Sequence, residues 1–394
     1  MMNVVRGGVF AAVVATALAG LTQATISAPS ASTVSVPATR MRDLGTLGGL
    51  NSYGVDINVW GQVTGTSDTS NEAAHAFRWT SSGGMQDLGT LDIGGSSGTA
   101  INELGQVIGV SLFPDPDTGQ DVPRQHAFRW TAAGGMQDLG TLGGGSTEAT
   151  AINNRGQVVG SSYLSNGHHH AFLWTPTRGI RDLGTLGGAN SSAIGINDLG
   201  QITGSADKAD GNTHAFRWTP TGGMQDLGTL GGSFSEGTGI NASGQVIGNA
   251  WGGRDGTEGF LWTSSGGMRA LGFWPAAINT RGQVVGYSPG AEAGVAVRWT
   301  ASAGSQGVDV PDGFYSDAVA NNDLGQIVGY VIPPSWIFHA FRWKASTGMT
   351  DLGTLGGQES FASAINIRGQ VTGSADKPLD EAGNRSRHAF LWSP

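Results

Sequence analysis

The segment His126–Asn154, HAFRWTAAGGMQDLGTLGGGSTEATAINN, followed by Arg155-Gly156-Gln157-Val158-Val159-Gly160, returns with drift along the whole chain. The Gly of its Asn-x-x-Gly-Gln turn falls at Gly61, Gly105, Gly156, Gly200, Gly244, Gly282, Gly325 and Gly369, about 44 residues apart. The Trp that closes its aromatic segment falls at Trp79, Trp130, Trp174, Trp218, Trp262, Trp299, Trp343 and Trp392. A unit of this size is a supersecondary module that cannot bury its own apolar face, so copies must stack.

Within a unit, short apolar alternations are separated by Gly, Asn and Ser turns. The 394 residues include 67 Gly, and no sustained 3.6-residue apolar period follows residue 25, so the chain reads as all-β. Each unit reads as four strands. The first is rich in Ala, Ser and Gly and ends in Ile-Asn; the Asn-x-x-Gly turn leads to Gln-Val-Val-Gly-Ser. A loop of variable length precedes His-Ala-Phe-Arg-Trp-Thr, and a Gly-Gly turn leads to Met-Gln-Asp-Leu. The turn Asn can accept from the turn backbone and the Gly can take the left-handed position. Four antiparallel strands in about 44 residues is the size of a β-propeller blade, with the small-residue strand at the crowded axis.

The ends argue for a closed ring. Met41-Arg42-Asp43-Leu44 is a lone fourth strand, and His388–Trp392 is a third strand without a fourth. Pairing them completes an eighth blade and removes both edges. Five aromatic strands carry Arg: Arg78, Arg129, Arg217, Arg298 and Arg342. Three carry Leu, at Leu173, Leu261 and Leu391; the following strand then holds Arg181 or Arg269, and for Leu391 only Arg42 is on offer. One guanidinium per strand pair is thus kept, and its expected partner is a nearby Asp such as Asp87 or Asp182. The fifth and sixth units depart from the pattern at Glu258-Gly259-Phe260, Ala270-Leu271-Gly272 and Val295-Ala296-Val297; a blade failing there would leave seven.

His-Ala-Phe-Arg-Trp, Asp-Leu-Gly-Thr-Leu-Gly-Gly and Ala-x-x-Ile-Asn-x-x-Gly-Gln-Val-Val-Gly, recurring in fixed order over residues 41–394, resemble the HAF-repeat family of extracellular proteins. The resemblance implies secretion and a repeat fold, with no established activity to transfer. The N-terminus reads the same way by itself. Arg6, the apolar run Val9–Leu21 and small residues through Ala24 form a secretory signal over residues 1–24, with cleavage after Ala19, Ala24 or Ala28. The run is too short and too weakly flanked for a membrane span. Residues 25–40, rich in Ser, Thr, Ala and Pro, read as a flexible linker before a single domain over 41–394.

A net charge of −9 without a basic cluster argues against nucleic acid and anionic membranes as partners. The absence of Cys removes disulfides, thiol nucleophiles and thiolate metal sites. Variable loops on a rigid scaffold are where binding is usually placed, so the face carrying Phe113–Gln125, Tyr163–His169 and Ala375–Arg387 is the expected working surface. Trp251 and Trp336, with His168 and His169, are its candidate ligand contacts, for a carbohydrate or a protein. The strand-start residues His75, His126, His170, His214, His339 and His388 lie in different blades and are expected to bond a neighbouring backbone or Asp. Asp115, Asp117 and Asp121 have the alternate acidic spacing of a calcium loop but lack its bidentate Glu; a solvated loop is the default, and no other cofactor is implied. A glycan-cleaving propeller would need acids at the channel mouth, for which Glu148, Glu236 and Glu359 are the candidates. Without a nucleophile elbow, a metal-binding His-Glu pair or a phosphate loop, a non-enzymatic binding scaffold is the reading preferred.

Overall fold

A carbonyl oxygen of every first strand sits where a side chain on the second strand would begin. The computed structural model, which describes residues 40–92, 94–113, 124–252, 256–289, 294–311, 315–333 and 336–394, shows this in every repeat. A bulge, as between Ala149 and Ala151 in the third repeat, pushes the first strand against the second. A Cβ on Gly65, Gly109, Gly160, Gly204, Gly248, Gly286, Gly329 or Gly373 would fall 1.8–1.9 Å from that oxygen. Hence the Gly of Val-Val-Gly, which no larger residue can replace.

The strands form eight four-stranded antiparallel sheets, seven of them in chain order, with no helix among the described residues. Blade 3, for example, comprises Thr147–Ile152, Val158–Tyr163, His169–Thr175 and Gly179–Asp182. Blades 1 to 7 are Gly48–Asp87, Ser96–Asp138, Thr147–Asp182, Gly187–Asp226, Ser235–Ala270, Trp274–Gly307 and Tyr315–Asp351. Blade 8 takes three strands from Ser360–Trp392 and its fourth from Met41–Asp43, in the register Met41↔Trp392, Arg42↔Leu391, Asp43↔Phe390. The protein is an eight-bladed β-propeller closed by its own termini, and the irregular fifth and sixth units form complete blades. The signal expected over residues 1–24 and residues 25–39 of the expected linker lie outside the described residues.

At the axis, the turn Asn does more than close its hairpin. Asn153 Oδ1 accepts from the Arg155 and Gln157 amides, and one Nδ2 proton goes to Gln157 Oε1. The other goes to the Asn197 carbonyl of the next blade at 3.0 Å. The same step runs Asn58→Asn102→Asn153→Asn197→Asn241→Asn279→Asn322→Asn366→Asn58, at 2.9–3.1 Å. Every side-chain valence is used and the residues are buried. The turn Gly beside each Asn has φ of 68–76°, which glycine adopts without strain.

The apolar cores lie between blades. Val159, Ala171, Leu173 and Leu183 of blade 3 pack on Ala193, Ile202, Phe216 and Trp218 of blade 4, and Leu44, Ala389 and Leu391 of blade 8 pack likewise on Ile57, Val63, Phe77 and Trp79. Towards the loop end a Ser hydroxyl bridges neighbours: Ala171 N–H donates to Ser191 Oγ, which donates to the Gly184 carbonyl.

The conserved guanidinium has a different partner from the Asp expected. It lies over the Trp ring of the next blade in all eight interfaces, at 4.7–5.7 Å. Arg181 and Arg269 stand opposite Leu173 and Leu261, and Arg42 opposite Leu391 covers Trp79 across the seam. The Asp instead bonds the strand-start His of its own blade, at 2.7–2.9 Å in six blades. A guanidinium sandwiched by an indole keeps its charge over the ring's negative face, a better place than beside an Asp already claimed. In the seam, burial works to raise the Asp43 carboxyl, but His388, Lys377 and the Gly45 amide outweigh it and hold it well below the carboxylate range.

Asn197→Ala removes a donor from a buried carbonyl as well as the turn's own acceptor. It should lower unfolding free energy by about 3 kcal/mol in urea denaturation, against about 1 kcal/mol for Arg129→Ala. A chain ending at Ser386 leaves two open edges. It should lose its single sharp calorimetric transition and self-associate on size-exclusion chromatography.

Candidate functional site

The eight repeats are nearly interchangeable where they hold the ring, so positions at which they diverge report on something else. The most divergent first-strand position is five residues before the ring Asn. It holds Tyr53, Ser97, Glu148, Ser192, Glu236, Trp274, Asp317 and Phe361 in blades 1 to 8. These residues stand at the loop end of the strand nearest the axis. Blades 2 to 5 present Ser or Glu there, whereas blades 6, 8 and 1 present aromatic rings and blade 7 an Asp.

Neighbouring strands extend the aromatic half. Tyr287 stands opposite Trp274, with ring centroids 5.6 Å apart, and Tyr315 of blade 7 lies 5.4 Å from Tyr287. Further round, Tyr330 lies 5.7 Å from Phe338 and 6.0 Å from Phe361, and Phe338 and Phe361 are 5.1 Å apart. Arg387 then covers Phe361 at 4.8 Å. The result is an arc of half-buried rings over three blades, tilted against each other by 33–61°.

Asp317 sits within the arc, only 7% exposed, and accepts from Tyr330 Oη at 3.2 Å. Burial pushes its carboxyl up to about 6, against the pull of Tyr330 and the Ala318 amide. Burial also raises the Tyr315 and Tyr330 phenols, the first helped by Tyr287, so both stay protonated donors. Arg387 is committed to Asp376 at 2.7 Å and Glu359 at 2.8 Å.

The residues singled out from the sequence are dispersed. Glu148 and Glu236 occupy equivalent positions in blades 3 and 5 with blade 4 between them, and Glu359 is held by Arg387 in blade 8. Trp251 is 53% exposed and packs on Phe234 at 5.7 Å in blade 5. Trp336, 59% exposed, lies in a blade 7 turn with φ of 60°. His168 is exposed, while His169 rests on Tyr163 at 5.8 Å, where burial lowers its pKa against the opposing pull of Asp207. Asp115, Asp117 and Asp121 lie outside the described residues. No three His, Cys, Asp or Glu side chains among the described residues form a metal-holding group.

The opposite, turn-side end of the channel holds a cavity of about 460 Å³, lined by eight Ile residues, Asn321 and the Asn ring among others. Its rim acids are structural: Glu103, Asp198 and Asp323 cap the Val59, Asn154 and Thr280 amides of the preceding blades. The aromatic arc escaped sequence reasoning because its members come from separate units. Aligning the repeats column by column would have exposed it, since Trp274, Asp317 and Phe361 interrupt a column of Ser and Glu.

No known family profile matches the sequence, and no curated protein does. Among solved structures, the chain is similar to dipeptidyl peptidase 4 of Porphyromonas gingivalis, with 8% identity and a TM-score of 0.55 over 88% of this chain and 60% of that one. It is also similar to the BP39L lectin of Burkholderia pseudomallei, with 9% identity and a TM-score of 0.44 over 78% and 100%. TolB of Acinetobacter baumannii follows at 13% and 0.39, over 65% of this chain and 62% of that one. The chain thus spans about three fifths of the peptidase and of TolB. Such identities speak to the propeller fold alone.

The raised Asp317 pKa has a definite sign. The folded chain holds its proton more tightly than the unfolded one, so the stability difference falls as pH rises from about 4 through about 6. Asp317→Asn keeps an acceptor for Tyr330 without the charge. Relative to the parent chain it should be near neutral at pH 4 and gain about 2–3 kcal/mol at pH 8, read as the difference in urea midpoints.

Proposed function

We propose that this chain is a secreted propeller of the HAF-repeat type that binds a carbohydrate or protein ligand on its loop face, without catalysis. The observation that carries this reading is the aromatic half-ring. Tyr53, Trp274, Tyr287, Tyr315, Tyr330, Phe338 and Phe361 gather at one end of the ring, where the fold's repeating contacts do not need them. Rigid aromatic rings with phenol hydroxyls lose little entropy on binding and combine apolar contact with hydrogen bonding. Glycan cleavage has one observation in its favour, the Asp317 carboxyl raised to about 6, but it lacks a second acid: Glu359 is held by Arg387, and Glu148 and Glu236 lie in other blades.

The secreted chain, tested on a glycan array and as bait in a pull-down from its native surroundings, should retain a ligand. Hydrogen exchange of the complex should show new protection at the first-strand starts, and none at the Asn turns. Silence in both screens, or protection confined to the turns, would sink the reading. Turnover of any polysaccharide that Asp317→Asn abolishes would replace it with the hydrolase.

A further inference from the structure

We propose that the arc from Trp274 to Phe361 is a binding site for uncharged pyranose rings of an oligosaccharide. The inference rests on the loop-face reading and names its ligand class. A pyranose has an apolar C–H face and a rim of hydroxyls that both donate and accept. The arc offers the complement: ring faces of Trp274, Tyr287, Tyr315 and Phe361, with polar atoms set among them. Asp317 Oδ2 and the phenols of Tyr287, Tyr315 and Tyr330 lie in the same sector. An aliphatic occupant would cover the half-exposed phenols and leave their remaining hydrogen-bonding capacity unmet, a cost that a hydroxylated occupant avoids. A hydroxylated one supplies donors to Asp317 and acceptors to the phenols.

Charge narrows the class. Among the described residues, the ionisable groups bordering the rings are Asp317, Glu359, Asp376 and Arg387, an excess of acid. Arg387 spends its Nε on Asp376 and its Nη2 on Glu359, and Arg385 in the same blade donates to Gln358. Lys377 is held by Asp43 at 2.7 Å. Among the described residues, no bordering guanidinium is therefore left to pair with a uronate or sulfate, which would meet like charge. The successive rings, from Trp274 through Tyr287 and Tyr315, then Tyr330 to Phe361, suit an occupant that repeats its apolar face.

The test is titration calorimetry of the secreted chain with neutral oligosaccharides (gluco-, manno-, galacto- and xylo-series) beside oligogalacturonate and oligoalginate. At least one neutral series should bind and quench tryptophan fluorescence, with the uronates at least about tenfold weaker. Trp274→Ala should cost about tenfold or more. Because that change also alters packing, Tyr287→Phe and Tyr315→Phe, which keep the rings and leave the Tyr330–Asp317 bond in place, should each cost about three- to tenfold with the melting temperature retained. Uronates that bind as tightly as neutral sugars would overturn the proposal. So would hydroxyl variants that bind all sugars unchanged, or a chain that captures a protein on its loop face and no sugar; in these cases the loop-face reading itself stands. A loop face that takes neither sugar nor protein would sink both.

Discussion

Eight asparagine side chains, each handing one amide proton to the backbone of the next blade, set the dimensions of this molecule. The circuit closes only if blade 8 meets blade 1, where Asn366 donates to the Asn58 carbonyl. That closure in turn needs Met41–Asp43 to supply the missing strand beside Phe390–Trp392. Because the bulge in each first strand presses it onto the second strand of its own blade, the facing residue there must be glycine, and the apolar side chains lie further out. They form cores shared between blades, so no blade can satisfy itself and stability belongs to the closed assembly.

Three fastenings divide the radius. Asn bonds act at the axis, Ser bridges further up the blade, and Arg–Trp stacks beyond them. The last tolerates exchange of Arg between third and fourth strand, because cross-strand neighbours such as Leu173 and Arg181 reach the same ring from adjacent backbones. A frame held in so many places can carry side chains at the loop end that add nothing to it. The buried Asp317 makes the folded state less stable as pH rises through about 6. Sites that break a local rule in this way are expected to serve binding or chemistry rather than folding.

Much of the frame was legible in the residues. The period, the four strands, the left-handed turn glycine and the seam between Arg42 and Leu391 follow from spacing, because each repeat is an independent witness to the same local geometry. The stack of Arg on Trp was not legible. The exchange of Arg for Leu across strands announced a compensated contact, yet its partner belongs to the following blade, and only packing brings that blade alongside. The pairing of His388 with Asp43 shows the other case: the motif predicts a local bond between the two strands, and the ring joins them across the length of the chain.

By itself the sequence determined the module, the number of copies and the way the ends must meet, because periodic turns and strand patterns are local properties repeated eight times. It also placed candidate acids at the channel mouth and candidate tryptophans on variable loops, where the chain departs from its own consensus. Tertiary structure decided which departures stand together: Glu148 and Glu236 fall in separate blades, while Trp274, Tyr287, Tyr315, Asp317, Tyr330 and Phe361 form one continuous surface. Neighbourhood across a propeller depends on the order of blades around the axis and on which end of each strand faces the loops. A linear spacing carries neither, until the ring is closed.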